Sequence, residues 1–150
     1  MVFLGGPVGK MRTCAIFEHA RDHVAYASNP KFKEAINVGL FFNEDAALDS
    51  CGSQSNRNFA YTELSDTNKI KVVVASKLFT QNRTTISAIM AHEFGHVVLF
   101  IMGKLDHTER EADAMAEKIF KNKIYYDSSG IQCYRSGTRP RPDWIDEGRC

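Results

Sequence analysis

Two histidines stand four residues apart in the stretch "IMAHEFGHVVLF", residues 89–100. On a helix, residues at this spacing project from one face, so His92 and His96 can bind the same metal ion. Glu93 projects about 100° away from His92, which places it beside the ion as a general base for an activated water. The alternative is a pair of core histidines, but unpaired polar groups inside an apolar helix are costly. The stretch therefore predicts a catalytic centre with one Zn²⁺ per chain.

A catalytic zinc ion needs a third protein ligand and an open position. The longer pattern H-E-x-x-H-x-x-G-x-x-H is excluded, because positions 99 and 102 hold leucine and methionine. The remaining candidates all lie in "KLDHTEREADAMAEKIF", and they are His107, Glu109, Glu111 and Asp113.

Glu109 is the favoured third ligand. It precedes Asp113 by four residues, so both lie on one helix face, with Ala112 and Ala116 alongside. Small residues on this face allow the helix to approach the first one closely. Asp113 is then placed to hold a ligand histidine from behind, a support that metal sites usually have.

Helix capping is the competing role for these acidic residues. Thr108-x-x-Glu111 and Asp106-x-x-Glu109 both fit a capping box. If Glu111 caps the helix, Glu109 is left for the metal. His107 stays open as a rival ligand.

The periodicity predicts an α+β fold in which two helices carry the site beside a small twisted sheet. We expect one domain, 1–150, with these elements: an N-terminal helical segment at about 12–36, strands at "NVGLFF", "NFAYTEL" and "IKVVVAS", a long buried helix at about 84–102, a second helix at about 108–123, and a polar tail at about 127–150.

"HEFGH" followed by "EREAD" resembles the H-E-x-x-H … E-x-x-A-D pattern of gluzincin metallopeptidases. The chain is most similar to the family of membrane-embedded CAAX-prenyl and heat-shock peptidases and to their small soluble relatives, the minigluzincins. The similarity runs from about residue 58 to 120 and implies a zincin-like fold. It implies that His92, His96 and Glu109 bind zinc, that Glu93 is the base, and that Asp113 supports a ligand.

The resemblance extends upstream to "NRNFAY", which stands where that family has an edge strand. It implies that a polypeptide substrate adds itself to this edge as an antiparallel strand. The residues that would bind it are Asn58, Phe59, Ala60 and Tyr61.

Two features depart from the family. The chain lacks the family's membrane helices, and no histidine follows Glu109 to assist the oxyanion. The candidates for stabilising the oxyanion in place of a histidine are Tyr125, Tyr126, Tyr134 and Arg135.

The function expected from these residues is that of a zinc-dependent metalloendopeptidase. A narrow-specificity regulatory peptidase that cuts one cellular protein is a second possibility. A third is an inactive zinc-holding module that binds a partner or acts like a toxin. The intact Glu93 argues against the third, because a binding module has no need of a base.

Composition and charge limit the classes of partner that the chain is expected to bind. The formal net charge is +1, and Lys and Arg are spread along the chain, which argues against nucleic acid. The longest wholly apolar run, Val97–Met102, is far shorter than the ~20 residues that span a bilayer. We expect a monomer without a membrane span, acting on a polypeptide.

Four cysteines favour a secreted or periplasmic setting and leave a cytoplasmic one open. The expected pairs are Cys14–Cys51 and Cys133–Cys150, the second closing the polar tail. Cys51 as a nucleophile or as an inhibitory zinc ligand is a lesser alternative. His19 and His23 form another pair four residues apart, which we predict to be exposed to solvent.

Overall fold

The computed structural model describes residues 7–42, 59–126 and 132–134 of the chain. The elements in these ranges confirm the predicted α+β class. They are helices α1 (Pro7–Ala25), α2 (Arg83–Ile101) and α3 (Glu109–Phe120), strands β1 (Gly39–Phe42), β2 (Ala60–Leu64), β3 (Ile70–Val74), β4 (Tyr125–Tyr126) and β5 (Gln132–Cys133), and 3₁₀ turns at Pro30–Asn37 and Ser76–Thr80.

The larger sheet has the strand order β1-β3-β2, with β1 parallel and β2 antiparallel to β3. The central strand β3 has a run of three buried valines, Val72–Val74, as expected for a strand covered on both faces. A turn joins β2 to β3, in which Asn68 N donates to Ser65 O at 2.9 Å and Asn68 adopts a positive φ of 61°. Asparagine tolerates this conformation better than most residues.

Strand β2 lies at an edge of this sheet. Phe59 O accepts a hydrogen bond from Ala75 N at 2.9 Å, which fixes the alternation of the antiparallel ladder. The backbone N–H and C=O groups of Ala60, Thr62 and Leu64 consequently face away from β3. In the ranges that the structure describes, no further strand pairs with that edge.

Helix α2 is the central helix of the core. Asn82 caps its first turn by accepting a hydrogen bond from Thr85 N at 2.9 Å. Gly103, with φ of +82°, follows its end, a left-handed position that glycine commonly occupies after a helix. By length and composition alone α2 could cross a membrane, yet 72% of that apolar window is buried inside the protein. Such burial is typical of a core helix.

Two boundaries differ from the prediction. Helix α1 begins at Pro7 rather than near residue 12, because proline is well suited to the first position of a helix. The expected polar tail from residue 127 contains a strand, Gln132–Cys133, which pairs with Tyr125–Tyr126 and packs against α2. Strands of two residues are too short to leave a periodic signal.

The predicted disulfides are not present among the described residues. Cys14 is a free thiol on α1, and its expected partner Cys51 lies outside those residues, as does Cys150. The Sγ of Cys133 is buried and lies 3.6 Å from Thr84 Oγ1. This thiol is therefore held against α2 by a side chain of that helix.

Candidate metal centre

Three side chains from α2 and α3 form a group that can hold a metal ion. His92 and His96 come from α2 and Glu109 from the first position of α3, and one ligand atom from each lies within 4.8 Å of the others. Glu109 Oε1 is 3.2 Å from His92 Nε2, and Glu109 Oε2 is 2.9 Å from His96 Nε2. The two imidazoles and the carboxylate thus converge on one place.

A glycine allows α2 and α3 to come this close. A Cβ added at Gly95 would overlap the backbone carbonyl of Ala112 on α3. Ala112 and Ala116 are both buried on the facing side of α3. This confirms the predicted close approach and explains the glycine between the two histidines, since any larger side chain would push Glu109 away.

Capping of α3 is separate from the metal group. Thr108 Oγ1 accepts a hydrogen bond from Glu111 N at 3.1 Å, and Glu111 Oε1 accepts one from Thr108 N at 3.2 Å. This is the predicted capping box, and it involves Glu111. Glu109 is therefore not needed as the cap.

Asp113 lies directly behind His92. His92 Nδ1 donates to Asp113 Oδ1 at 2.5 Å, and the buried Tyr126 donates its hydroxyl to Asp113 Oδ2. Both oxygens of the buried carboxylate thus have a donor. The contact with His92 orients the ring and leaves Nε2 as its ligand atom.

His107 lies behind His96. Its Nε2 is 2.7 Å from His96 Nδ1, and its own Nδ1 is 2.6 Å from the carbonyl oxygen of Lys104. His107 therefore contacts the rear of His96, on the side away from the ligand nitrogen. The sequence offered His107 only as a rival ligand, because spacing along the chain does not show which ring nitrogen a loop histidine will meet.

The charges in this group are strongly coupled. Burial alone would lower the pKa of His92, but the carboxylates of Asp113 and Glu109 outweigh it and raise that pKa well above its usual value. Burial would raise the pKa of Glu109, but its contacts with His92 and His96 hold that pKa far below the usual range. Glu109 is therefore an ionised carboxylate at neutral pH, as a metal ligand must be.

The donor chemistry fits a divalent cation. In the metal-free protein, the raised pKa of His92 keeps a proton on its Nε2, directed at the Glu109 carboxylate. A divalent cation bound at this point would replace that proton, with His92 Nε2, His96 Nε2 and the Glu109 carboxylate as ligands. Two imidazole nitrogens and a carboxylate are also the kinds of ligand that transition metals such as zinc accept.

Glu93 directly follows His92 on α2, and its buried side chain is held by the edge strand. Thr62 Oγ1 on β2 lies 2.7 Å from Glu93 Oε1 and 3.1 Å from the backbone oxygen of Glu93. The hydroxyl therefore fixes the position of the carboxylate against the sheet. No sequence pattern indicated a role for Thr62, because the contact depends on how β2 packs against α2.

The residues predicted to bind substrate have different surroundings. Phe59 is buried in the core, Ala60 is half-buried, and Tyr61 is 39% exposed. Asn58 lies outside the described residues. Of these residues, Ala60 has backbone groups that face the open edge of β2, whereas Phe59 bonds to Ala75 through its backbone oxygen.

The three described residues that were candidates for stabilising the oxyanion, Tyr125, Tyr126 and Tyr134, have different surroundings. The hydroxyl of Tyr126 binds Asp113 behind His92, which favours a supporting role for this residue. Tyr125 is half-buried on β4, and Tyr134 packs against a small cluster around Ala91. Burial, together with the charge of Glu117, raises the pKa of Tyr134. Arg135 lies outside the described residues.

The second histidine pair is exposed, as predicted. His23 Nε2 is 3.0 Å from the carbonyl oxygen of Ile119, and its ring stacks on Phe120 at 5.0 Å between centroids. His92, His96 and Glu109 form the one candidate metal group found among the described residues, and it does not include His19 or His23.

No model of a known protein family, no curated protein and no solved structure matches this chain. The similarity to gluzincin peptidases therefore rests on the motifs, and the argument for function rests on the geometry of the site.

Proposed function

We propose that this protein is a zinc-dependent metalloendopeptidase of the gluzincin type with a zincin-like fold. The observation that carries the proposal is the convergence of His92 Nε2, His96 Nε2 and the Glu109 carboxylate next to Glu93. Three protein ligands with one position left open are the mark of a catalytic zinc site rather than a structural one.

When bound, a zinc ion would supply a water molecule of lowered pKa and a Lewis acid for the scissile carbonyl. Glu93 accepts the proton of the attacking water and returns it to the leaving amine. Thr62 donates to one oxygen of the Glu93 carboxylate and so fixes its orientation for both transfers. Asp113 holds His92 in the tautomer that presents Nε2 to the metal.

The substrate proposed for this site is an extended polypeptide. The backbone groups of Ala60, Thr62 and Leu64 face the open edge of β2, where an added strand would pair. Thr62 also contacts Glu93, so a peptide bound along this edge runs past the base. Pairing of this kind gives affinity through main-chain hydrogen bonds, which do not depend on the side chains of the peptide.

The test is cleavage of a peptide library by zinc-loaded protein, compared with the variant Glu93→Gln. This change removes the base but none of the three ligands, so zinc binding should persist while cleavage falls by orders of magnitude. Glu34→Gln makes the same chemical change at an exposed position in the 3₁₀ turn and should cleave like wild type. Zinc-loaded wild type that cleaves no peptide would contradict the proposal.

A further inference from the structure

We propose that His107 is a positioning residue that sets the tautomer and orientation of His96, as Asp113 does for His92. The inference rests on the proposed metal site and concerns how that site is held. Both contacts are short, at 2.7 Å to His96 Nδ1 for His107 and 2.5 Å to His92 Nδ1 for Asp113. Each of the two histidines therefore has its own supporting residue.

The proton positions follow from the contact with Lys104. A carbonyl oxygen can only accept, so His107 Nδ1, 2.6 Å from Lys104 O, must carry a hydrogen. The Nε2 of a neutral His107 is then an acceptor, and His96 Nδ1 must donate to it. His96 Nε2 is thereby left with a free lone pair, and it lies 2.9 Å from Glu109 Oε2.

Hydrogen bonds in the loop between α2 and α3 hold the Lys104 carbonyl in place. Gly103 N donates to Phe100 O at 3.0 Å, and Lys104 N donates to Leu99 O at 2.9 Å. These bonds tie Lys104 to the end of the helix that carries His96. The His107 ring also packs edge-on against Phe100, with 4.9 Å between centroids. His107 is thus fixed both by a hydrogen bond and by an aromatic contact.

The two supports differ in charge. Asp113 supports His92 through a carboxylate, which brings a negative charge close to that ring. His107 supports His96 through an imidazole ring, which carries no negative charge and is itself held by the carbonyl oxygen of Lys104.

This arrangement separates the positioning role from the ligand role. The two nitrogens of an imidazole lie on opposite sides of the ring, and His107 meets His96 at Nδ1 while Glu109 meets it at Nε2. If His107 were instead the third ligand, its Nε2 would face the metal and would not be available to accept from His96.

The experiment is zinc affinity by chelator competition for wild type, His107→Ala and His107→Gln, with His19→Ala as the matched control at an exposed histidine. His107→Ala should weaken zinc binding about 10–100-fold, as loss of a supporting residue does. His107→Gln keeps an acceptor oxygen for His96 and should recover most of that affinity. His19→Ala should bind like wild type.

A second readout is the nitrogen-15 NMR spectrum of the imidazoles in zinc-loaded protein. His96 and His107 should both be protonated at Nδ1, with zinc bound at Nε2 of His96 alone. Zinc bound at His107 Nε2, or His107→Ala with unchanged affinity, would overturn the inference. If wild type binds zinc and Glu109→Gln loses it, the metal site stands even when the role of His107 fails. Wild type that binds no zinc would overturn both.

Discussion

Two helices of this protein each carry a pair of histidines four residues apart, and among the residues that the structure describes only the α2 pair belongs to a candidate metal group. The α2 pair, His92 and His96, is directed at the carboxylate of Glu109. The α1 pair, His19 and His23, is exposed, and His23 contacts the carbonyl oxygen of Ile119. The same helix α3 therefore meets both pairs, with its first residue at one and its last turn at the other.

The difference shows that two histidines four residues apart on a helix can supply two metal ligands but do not by themselves form a metal site. The α2 pair gains a carboxylate from α3 and a supporting residue behind each ring, Asp113 and His107. At the α1 pair, α3 offers a carbonyl and the aromatic ring of Phe120. We expect substitutions around the α2 pair to weaken zinc binding and substitutions at the α1 pair to leave it unchanged.

The largest effect is expected from removing the carboxylate that distinguishes the pairs. Glu109→Gln takes away one of three ligands and should weaken zinc binding by more than about 100-fold, beyond the loss caused by a supporting residue. Glu111→Gln, two residues along α3, alters the capping box and a 3.9 Å ion pair with Lys104 but removes no ligand, and it should keep its zinc. Equal zinc affinities for these two variants in a chelator competition would show that Glu109 is not a ligand.

The support behind His92 should have the next largest effect. Asp113→Asn removes the negative charge that makes His92 a stronger ligand for the metal. Zinc binding should therefore weaken about 10–100-fold. Asp106→Asn, an exposed acid in the loop before α3, is the matched control and should bind zinc like wild type. Asp113→Asn with wild-type affinity would mean that the contact at 2.5 Å does not influence the metal.

The approach of α3 to the α2 pair depends on Gly95. Gly95→Ala would place a Cβ against the carbonyl of Ala112, so the helices must separate. Overpacking of this kind costs about 1–3 kcal/mol in the free energy of unfolding, measured in denaturant on the metal-free protein. Zinc affinity should fall as well, because Glu109 moves with α3. A variant as stable as wild type would contradict the close packing of the two helices.

The smallest effect is expected at the α1 pair. The double variant His19→Ala/His23→Ala should keep the full zinc content of wild type. Loss of the His23 contact with Ile119 O should cost about 0.5–1.5 kcal/mol in the free energy of unfolding, the usual net contribution of one hydrogen bond. Loss of a zinc equivalent in this variant would show that α1 carries a metal site after all.

The sequence predicted much of this arrangement because its signals are local. The histidine spacing, the capping box at Thr108 and the glycine after α2 each depend on residues within a turn or two. The small residues of α3 predicted its approach to α2. These patterns were enough to bring together His92, His96, Glu109 and Asp113.

What the sequence did not show depends on contacts between distant segments. Thr62 reaches Glu93 only because β2 packs beside α2, and Tyr126 reaches Asp113 only because β4 follows α3 closely. His107 was considered as a ligand because its residue type suits a metal, but the loop geometry turns its Nε2 toward His96. Residue type limits what a side chain can bind, and the fold decides what it meets.

Whether His92, His96 and Glu109 bind zinc is decided by the zinc content of the chain after loading and dialysis against zinc-free buffer, measured by elemental analysis. We expect one equivalent per chain for wild type and none for the variant His92→Ala/His96→Ala. Wild type that retains no zinc, or a double variant that still retains a full equivalent, would contradict the claim that His92, His96 and Glu109 form a metal centre.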